Sequence, residues 1–270
     1  MLRRAVILTI VSCCALAVGC VGVVVAAVAS MTGSRTAPSV PILPSTAGIS
    51  KPPRPAFAIP GPKPLDSSDI TARWASLTRT TAIYRAPRPD ARPLGRVGGV
   101  TPEGTVNVVL IKGYTRDQAG QTWVRVQIPG KRSAPTGWVP GNVLNPGGVS
   151  RARVLVDRER LTLTYVRAGK VLLTAPIGIG RPDSPTPKGK FYIRNKLTRY
   201  ASAWYGPLAF GTSAQSDLSD WPAGGFIGIH GTNRPELLPG AVSHGCIRMR
   251  NQDILRLGRM LRVGTPVVIV

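Results

Sequence analysis

Outside its first 30 residues the chain has one cysteine. Cys13, Cys14 and Cys20 fall in a single apolar N-terminal run, which leaves Cys246 alone in the body. A lone thiol closes no internal disulfide, so a disulfide-stapled miniprotein is excluded and stability must come from packing. Histidine is nearly as scarce, with 2 in 270 residues: His230 and His244. Acidic residues number 12 against 35 Lys+Arg, for a formal charge of +23. The 30 glycines follow no strict period, which excludes collagen, and a 43% hydrophobic content excludes full-length disorder. The length fits one or two globular domains with additional segments.

The positive charge is dispersed, and the only adjacent basic pairs are Arg3-Arg4 and Lys131-Arg132. Nucleic-acid binders concentrate charge in a stripe or tail, so no nucleic-acid partner is expected. A dispersed field suits long-range attraction to some polyanion, which charge alone does not name. A generally Arg-rich composition with no specific partner accounts for it equally well.

Residues 5–29 carry no charge and follow Arg3 and Arg4. The run is long enough to cross a hydrocarbon core about 30 Å thick, and the leading arginines keep its start cytoplasmic. Residues 1–30 are therefore expected to be a transmembrane signal-anchor. The alternative is a cleavable signal peptide, since Ala27-Val28-Ala29 before Ser30 fits a small-x-small cleavage site. Gly19-Cys20 also resembles the end of a lipoprotein box. In each case the rest of the chain is extracytoplasmic, in the cell envelope. Residues 31–69 form a Pro-rich linker, with nine prolines between Pro38 and Pro64. Such a stretch buries no core and prefers extended polyproline conformations.

Residues 70–148 are expected to form one module, in which residues 73–145 read as short strands, among them Thr105–Ile111 and Trp123–Ile128, with turn signals at Gly113, Asp117, Gly120 and Pro129-Gly130. Gly137-Trp138-Val139 and Asn142-Val143-Leu144 close the segment. Trp138 is either a ligand platform or a buried core residue. Residues 151–270 begin as strands and contain one convincing helix. Asn251 is its expected cap, Asp253 suits its positive end, and Ile254, Leu257 and Leu261 repeat along one face. The aromatic-rich stretch Leu197–Gly225, with Trp204, Tyr205, Phe210 and Trp221, is expected to be a cleft wall or lid, or to pack on the sheet.

Both histidines lie within the sixteen residues before Cys246. A free thiol is mostly protonated at neutral pH, and a nearby imidazole can take its proton, so the clustering points to a nucleophilic thiol. Phe226–Gly231 reads as a buried strand delivering His230 at its end, and Ser243–Met249 as a turn entering another strand. Gly245 removes a side chain where a substrate carbonyl would approach a backbone oxyanion hole. If the second strand begins at Cys246, Arg248 and Arg250 share the thiol's face, where a guanidinium could hold a substrate carboxylate. A structural Cys and His, or a site with His230, His244 and Cys246 as metal ligands, are the competing readings. The paired CxxC or HxxxH spacing of metal sites is missing, so no metal is expected.

The order Tyr84-Arg85-Ala86-Pro87, Gly104, Trp123-Val124-Arg125-Val126 and Gly137-Trp138-Val139 resembles a bacterial SH3-like domain. Ile229-His230-Gly231-Thr232, followed by Ser243-His244-Gly245-Cys246-Ile247-Arg248, resembles the signature of L,D-transpeptidase catalytic domains of the YkuD type. Thr186-Pro187-Lys188-Gly189-Lys190-Phe191 and Gly264-Thr265-Pro266-Val267 are similar to that family as well. Some members carry Asn shortly after the cysteine, where this chain has Arg248 and Met249. The resemblance implies a mainly β protein, with a small SH3-like barrel followed by a YkuD-type β-sandwich with one or two short helices.

It also implies peptidoglycan stem peptides as donor and acceptor, and no cofactor. Cys246 would be the nucleophile and His230 the general base, oriented through the Gly231 carbonyl. Gly245 and Cys246 N–H groups would hold the oxyanion, with Ser243, His244 and Arg248 as oxyanion or substrate-binding residues. The alternatives are an L,D-carboxypeptidase or other cysteine hydrolase of stem peptides, and a non-catalytic wall-binding protein. Wall peptidases of the NlpC/P60 type place the cysteine before its histidine, the reverse of the order here.

Overall fold

The computed structural model describes residues 63–64, 71–130, 135–198, 202–216 and 225–270. The expected signal-anchor, almost all of the expected linker, and Trp221 lie outside them. No helix among the described residues is long and apolar enough to cross a membrane.

Strand-forming residues dominate, and the chain is mainly β. The first sheet is built from β1 (Lys63–Pro64), β2 (Ala72–Leu77), β3 (Thr81–Tyr84), β4 (Pro93–Val97), β5 (Val108–Arg116), β6 (Thr122–Gln127), β7 (Thr136–Pro140) and β8 (Leu144–Ser150). Its order is β4-β3-β7-β6-β5-β2-β8, with β1 on β5. Each of these pairings is antiparallel. The expected strand at Thr105 starts later, at Val108, because Val106 is held in an isolated bridge with Val100. Asn142-Val143 belongs to a 3-10 turn, Gly141–Val143, ahead of β8. The core is small and aliphatic: Leu77, Ile83, Val97, Val109, Val124, Val126, Val139 and Val143. Trp138 is buried, which is the packing role of the two considered.

Arg151 alone separates β8 from the second sheet, whose strands are β9 (Ala152–Asp157), β10 (Thr162–Arg167), β11 (Lys170–Gly180), β12 (Gly189–Leu197), β13 (Ala209–Gln215), β14 (Phe226–His230), β15 (Gly240–Ser243), β16 (Ile247–Met249) and β17 (Pro266–Ile269). The order β10-β9-β17-β12-β13-β14-β16-β11-β15 is closed on itself by a further β10–β11 pairing. Long β11 makes this possible, since its first half pairs with β10 and its second half with β15 and β16. The interior holds large side chains, including Tyr165, Phe191, Phe210, Ile177, Ile227 and Ile229. Burying one such side chain stabilises the fold by about 1.5–3 kcal/mol.

Helix α1 (Asn251–Met260) follows β16 and sends Ile254 and Leu257 into this core. Asn251 is its first residue rather than its cap. Arg250 takes the cap position, and Asn251 Oδ1 instead accepts the Thr232 N–H at 2.9 Å. Nor is Leu197–Gly225 one continuous loop: β13 runs through it and places Phe210 in the core.

Residues 55–270 form one compact unit, and polar groups stitch the two sheets within it. Arg194 of β12, 1% exposed at its side chain, pairs with Glu103 at 3.0 Å. Its guanidinium also lies 3.5 Å over the Phe226 ring. Asn195 Nδ2 donates to Glu103 and to Thr105, and the Tyr192 hydroxyl donates to the Val108 carbonyl at 3.0 Å.

Candidate active site

The parallel pairing of β14 with β16 builds the site. In register, Ile229 faces Ile247 and His230 faces Arg248. Cys246, the residue before β16, is thereby brought beside Gly228, whose N–H donates to Cys246 Sγ at 3.4 Å. Gly228 lies beneath both groups: a methyl there would be 3.6 Å from His230 Cδ2 and 3.9 Å from Cys246 Sγ. One of the chain's two histidines and the cysteine that stands alone outside the N-terminal run therefore meet at one cleft. Trp204, Tyr205, Ser243, His244 and Arg248 line the remainder of its cavity of about 330 Å³.

His230 is 3% exposed. Its Nδ1–H donates to the Gly231 carbonyl at 2.6 Å, a bond that fixes the tautomer and leaves Nε2 with its lone pair. Tyr205 packs on the ring, with centroids 4.4 Å apart. Burial, which the Gly231 bond opposes and the Arg248 charge assists, lowers the His230 pKa to about 4. Burial likewise raises the Cys246 thiol, against the Gly228 hydrogen bond and the Arg248 charge. At neutral pH the pair thus rests as imidazole and thiol, because desolvation penalises both charged forms. Such a pair can move its proton as a nucleophilic attack proceeds.

The turn before the thiol is held from several directions. Ser243 Oγ donates to the Cys246 carbonyl at 2.6 Å and accepts the Gly245 N–H at 3.1 Å. Gly245 has φ of +112°, and a Cβ there would press within 2.8 Å of Ile227, so only glycine fits. Thr186, fully buried, donates to the Gly245 carbonyl at 2.8 Å and accepts the Gly180 N–H at 2.9 Å. One wall of the turn is thereby tied to the end of β11.

Of the residues singled out from sequence, His230, Ser243, His244, Cys246, Arg248 and Trp204 converge on the cleft. Trp204 is 57% exposed at the mouth. Arg250 does not line it, because the chain turns into α1 at that point. Arg248 Nε is buried with no hydrogen-bond partner among the described residues. Sequence reasoning missed Arg181, whose Nη2 donates to His244 Nε2 at 2.6 Å. Arg181 sits 63 residues from His244 in a loop with no motif of its own, so no local signal marks it.

A buried cysteine beside a tautomer-fixed histidine, in a cleft edged with arginine, defines a class of centre suited to acyl chemistry through a thiol. Comparison with known proteins narrows the class. The profile of the L,D-transpeptidase catalytic domain, YkuD, matches residues 151–269. The putative L,D-transpeptidase YkuD of Bacillus subtilis (strain 168) is 38% identical over 108 residues, covering 40% of this chain and 59% of that protein. Its counterpart in Bacillus licheniformis is 34% identical over 131 residues, covering 48% of this chain and 72% of that protein. The NMR structure of the catalytic domain from E. faecium L,D-transpeptidase is 29% identical, covers 44% of this chain and 96% of that chain, and superposes with a TM-score of 0.36. The chain belongs to the YkuD family of L,D-transpeptidases, and spans 59% of the length of the Bacillus subtilis relative.

Proposed function

We propose that the protein is a peptidoglycan L,D-transpeptidase that works through a thioester on Cys246. The observation that carries this reading is the Cys246–His230 pair, with the imidazole held by the Gly231 carbonyl so that its free nitrogen serves as base. Cys246 Sγ attacks the carbonyl carbon of the third stem-peptide residue while His230 Nε2 takes the thiol proton. The resulting oxyanion is held by the Cys246 N–H. The Gly245 N–H, already donated to Ser243 Oγ, is shared or rearranged in that state. Collapse breaks the peptide bond, and His230 returns the proton to the departing amine of the terminal D-amino acid. The side-chain amine of a second stem then attacks the thioester and loses a proton to His230. An amide cross-link forms, and that proton restores the thiol.

Ser243 and Thr186 hold the turn in shape. His244, with Arg181, and Arg248 bind substrate, the unpartnered Arg248 Nε being suited to a donor carboxylate. The first sheet is assigned as an SH3-like module and residues 1–30 as a membrane anchor or export signal. These assignments place the catalytic domain in the cell envelope, where anionic wall polymers meet its charge.

Intact-mass spectrometry of the full chain incubated with disaccharide-tetrapeptide tests the reading. A thioester adduct on wild type, missing in Cys246→Ala, with cross-linked dimers accumulating, is the expected result. Turnover by the variant should fall by at least about 1000-fold. An adduct that yields only tripeptide would make the protein an L,D-carboxypeptidase. A folded wild type with neither adduct nor product would overturn the enzymatic reading in favour of wall binding.

A further inference from the structure

No motif contains Thr212, and its side chain is sealed from solvent. It lies in β13 where pairing with β14 is interrupted between Gly211 and Gln215. Such a bulge deprives the partner strand of a ladder donor, and buried carbonyls seldom go unpaired. The Ile227 carbonyl accepts the Thr212 hydroxyl instead, at 2.7 Å. The same peptide unit carries the Gly228 N–H, which donates to Cys246 Sγ at 3.4 Å. Thr212 Oγ1 in turn accepts the Ala214 N–H at 3.2 Å. The bonds therefore run head to tail, from the Ala214 amide through the hydroxyl and one peptide plane to the sulfur. Bonds in such a chain polarise one another, and resonance couples the carbonyl of a peptide to its N–H.

We propose that Thr212 is a positioning residue for the reaction, whose hydroxyl orients and polarises the Ile227–Gly228 peptide so that its N–H stabilises the Cys246 thiolate. The inference rests on Cys246 being the nucleophile. An amide donor binds a thiolate more strongly than a thiol, so the relay favours the charged form specifically. Arg194 Nε, donating to the Thr212 carbonyl at 3.2 Å, fixes the backbone from which the hydroxyl is aimed. The other titratable or charged groups around the sulfur are His230 and Tyr205, His244 with Arg181, and Arg248. Thr212→Val keeps the shape and leaves all of them in place.

The test is the pH dependence of Cys246 alkylation by iodoacetamide in the full chain, read on the peptide that contains Cys246. The expected midpoint rises by roughly 0.5–1 pH unit in Thr212→Val, and Thr212→Ser restores it. Donor acylation near neutral pH should fall about three- to tenfold in the Val variant, in kcat rather than KM. An unchanged midpoint in a folded Val variant would reduce Thr212 to a structural role and overturn the proposal. Should that variant fail to fold, NMR of wild type decides: the Gly228 amide proton must titrate with the Cys246 midpoint, and its failure to move would count against the relay. Alkylation needs no substrate, so a protein inert toward stem peptides would refute the proposed function while the midpoint still judged Thr212.

Discussion

The two sheets solve the same packing problem with different materials. The first is wholly antiparallel in its pairings, with a core of valine, leucine and isoleucine. The second mixes parallel with antiparallel pairs and buries Thr186, Arg194, Asn195, Thr212, Ser213, His230 and Ser243 along with its aromatics. Buried polar groups cost free energy unless each finds a partner, so their concentration in one sheet is itself informative. That sheet can place a histidine opposite an arginine and a thiol against an amide. The first sheet buries fewer polar groups, and two of its polar side chains are directed at the second: Gln127 donates to the Lys190 carbonyl at 3.0 Å, and Glu103 pairs with Arg194.

The sharpest way to break this division is at Glu103. Glu103→Ala leaves Arg194 buried without its counter-charge and should cost about 3–5 kcal/mol by chemical denaturation. A double variant, Glu103→Met with Arg194→Leu, should recover most of that loss. A single variant as stable as wild type would mean that this ion pair does not help to hold the two sheets together.

A second test concerns His230. Between about pH 6.5 and 4 the unfolded chain binds a proton at this site and the folded chain does not. The stability it contributes is complete above pH 6.5 and is lost as pH falls toward 4, by about 3 kcal/mol. Denaturation curves at several pH values should show the loss in wild type and its disappearance in His230→Gln. Equal slopes for the two proteins would mean that the imidazole is less desolvated than its burial indicates.

The smallest effect is expected at Trp204, on the mouth of the cleft. Trp204→Ala should change stability by less than about 0.5 kcal/mol while slowing acylation by the stem-peptide donor. A substantial fall in Tm instead would move Trp204 from substrate contact to packing.

What could be read from the sequence follows the same division. Cys246 and His230 stood out because each residue type is rare and the pair lies close along the chain. The periodicity of Ile254 and Leu257 gave the helix, since a buried face leaves a local pattern. Asn251 misled because its residue type suits a cap, while the nearby Thr232 amide claimed its side chain. Thr186 could be quoted within a motif, but its purpose is a bond to a carbonyl 59 residues later. Arg181 and the Glu103–Arg194 pair act over still greater separations, 63 and 91 residues, and Thr212 acts on a carbonyl 15 residues on. No pattern along the chain encodes such meetings, which exist only once β11 through β16 are assembled. Arg250 was expected to face the cleft on the assumption that the strand continued, and the helix start removed it.

The closure of the second sheet through β10 and β11 has a further consequence for the life of the molecule in crowded surroundings. A strand with an open side offers its amides and carbonyls to any other chain, and this is a common route to aggregation. Among the described residues of the second sheet, only the four-residue β15 has a single neighbour, and it pairs with the end of β11. The part of the protein that carries the reactive thiol is therefore also the part with the least invitation to templated self-association. Partial unfolding that unzips β10 from β11 would remove that protection, baring the flanks of two strands.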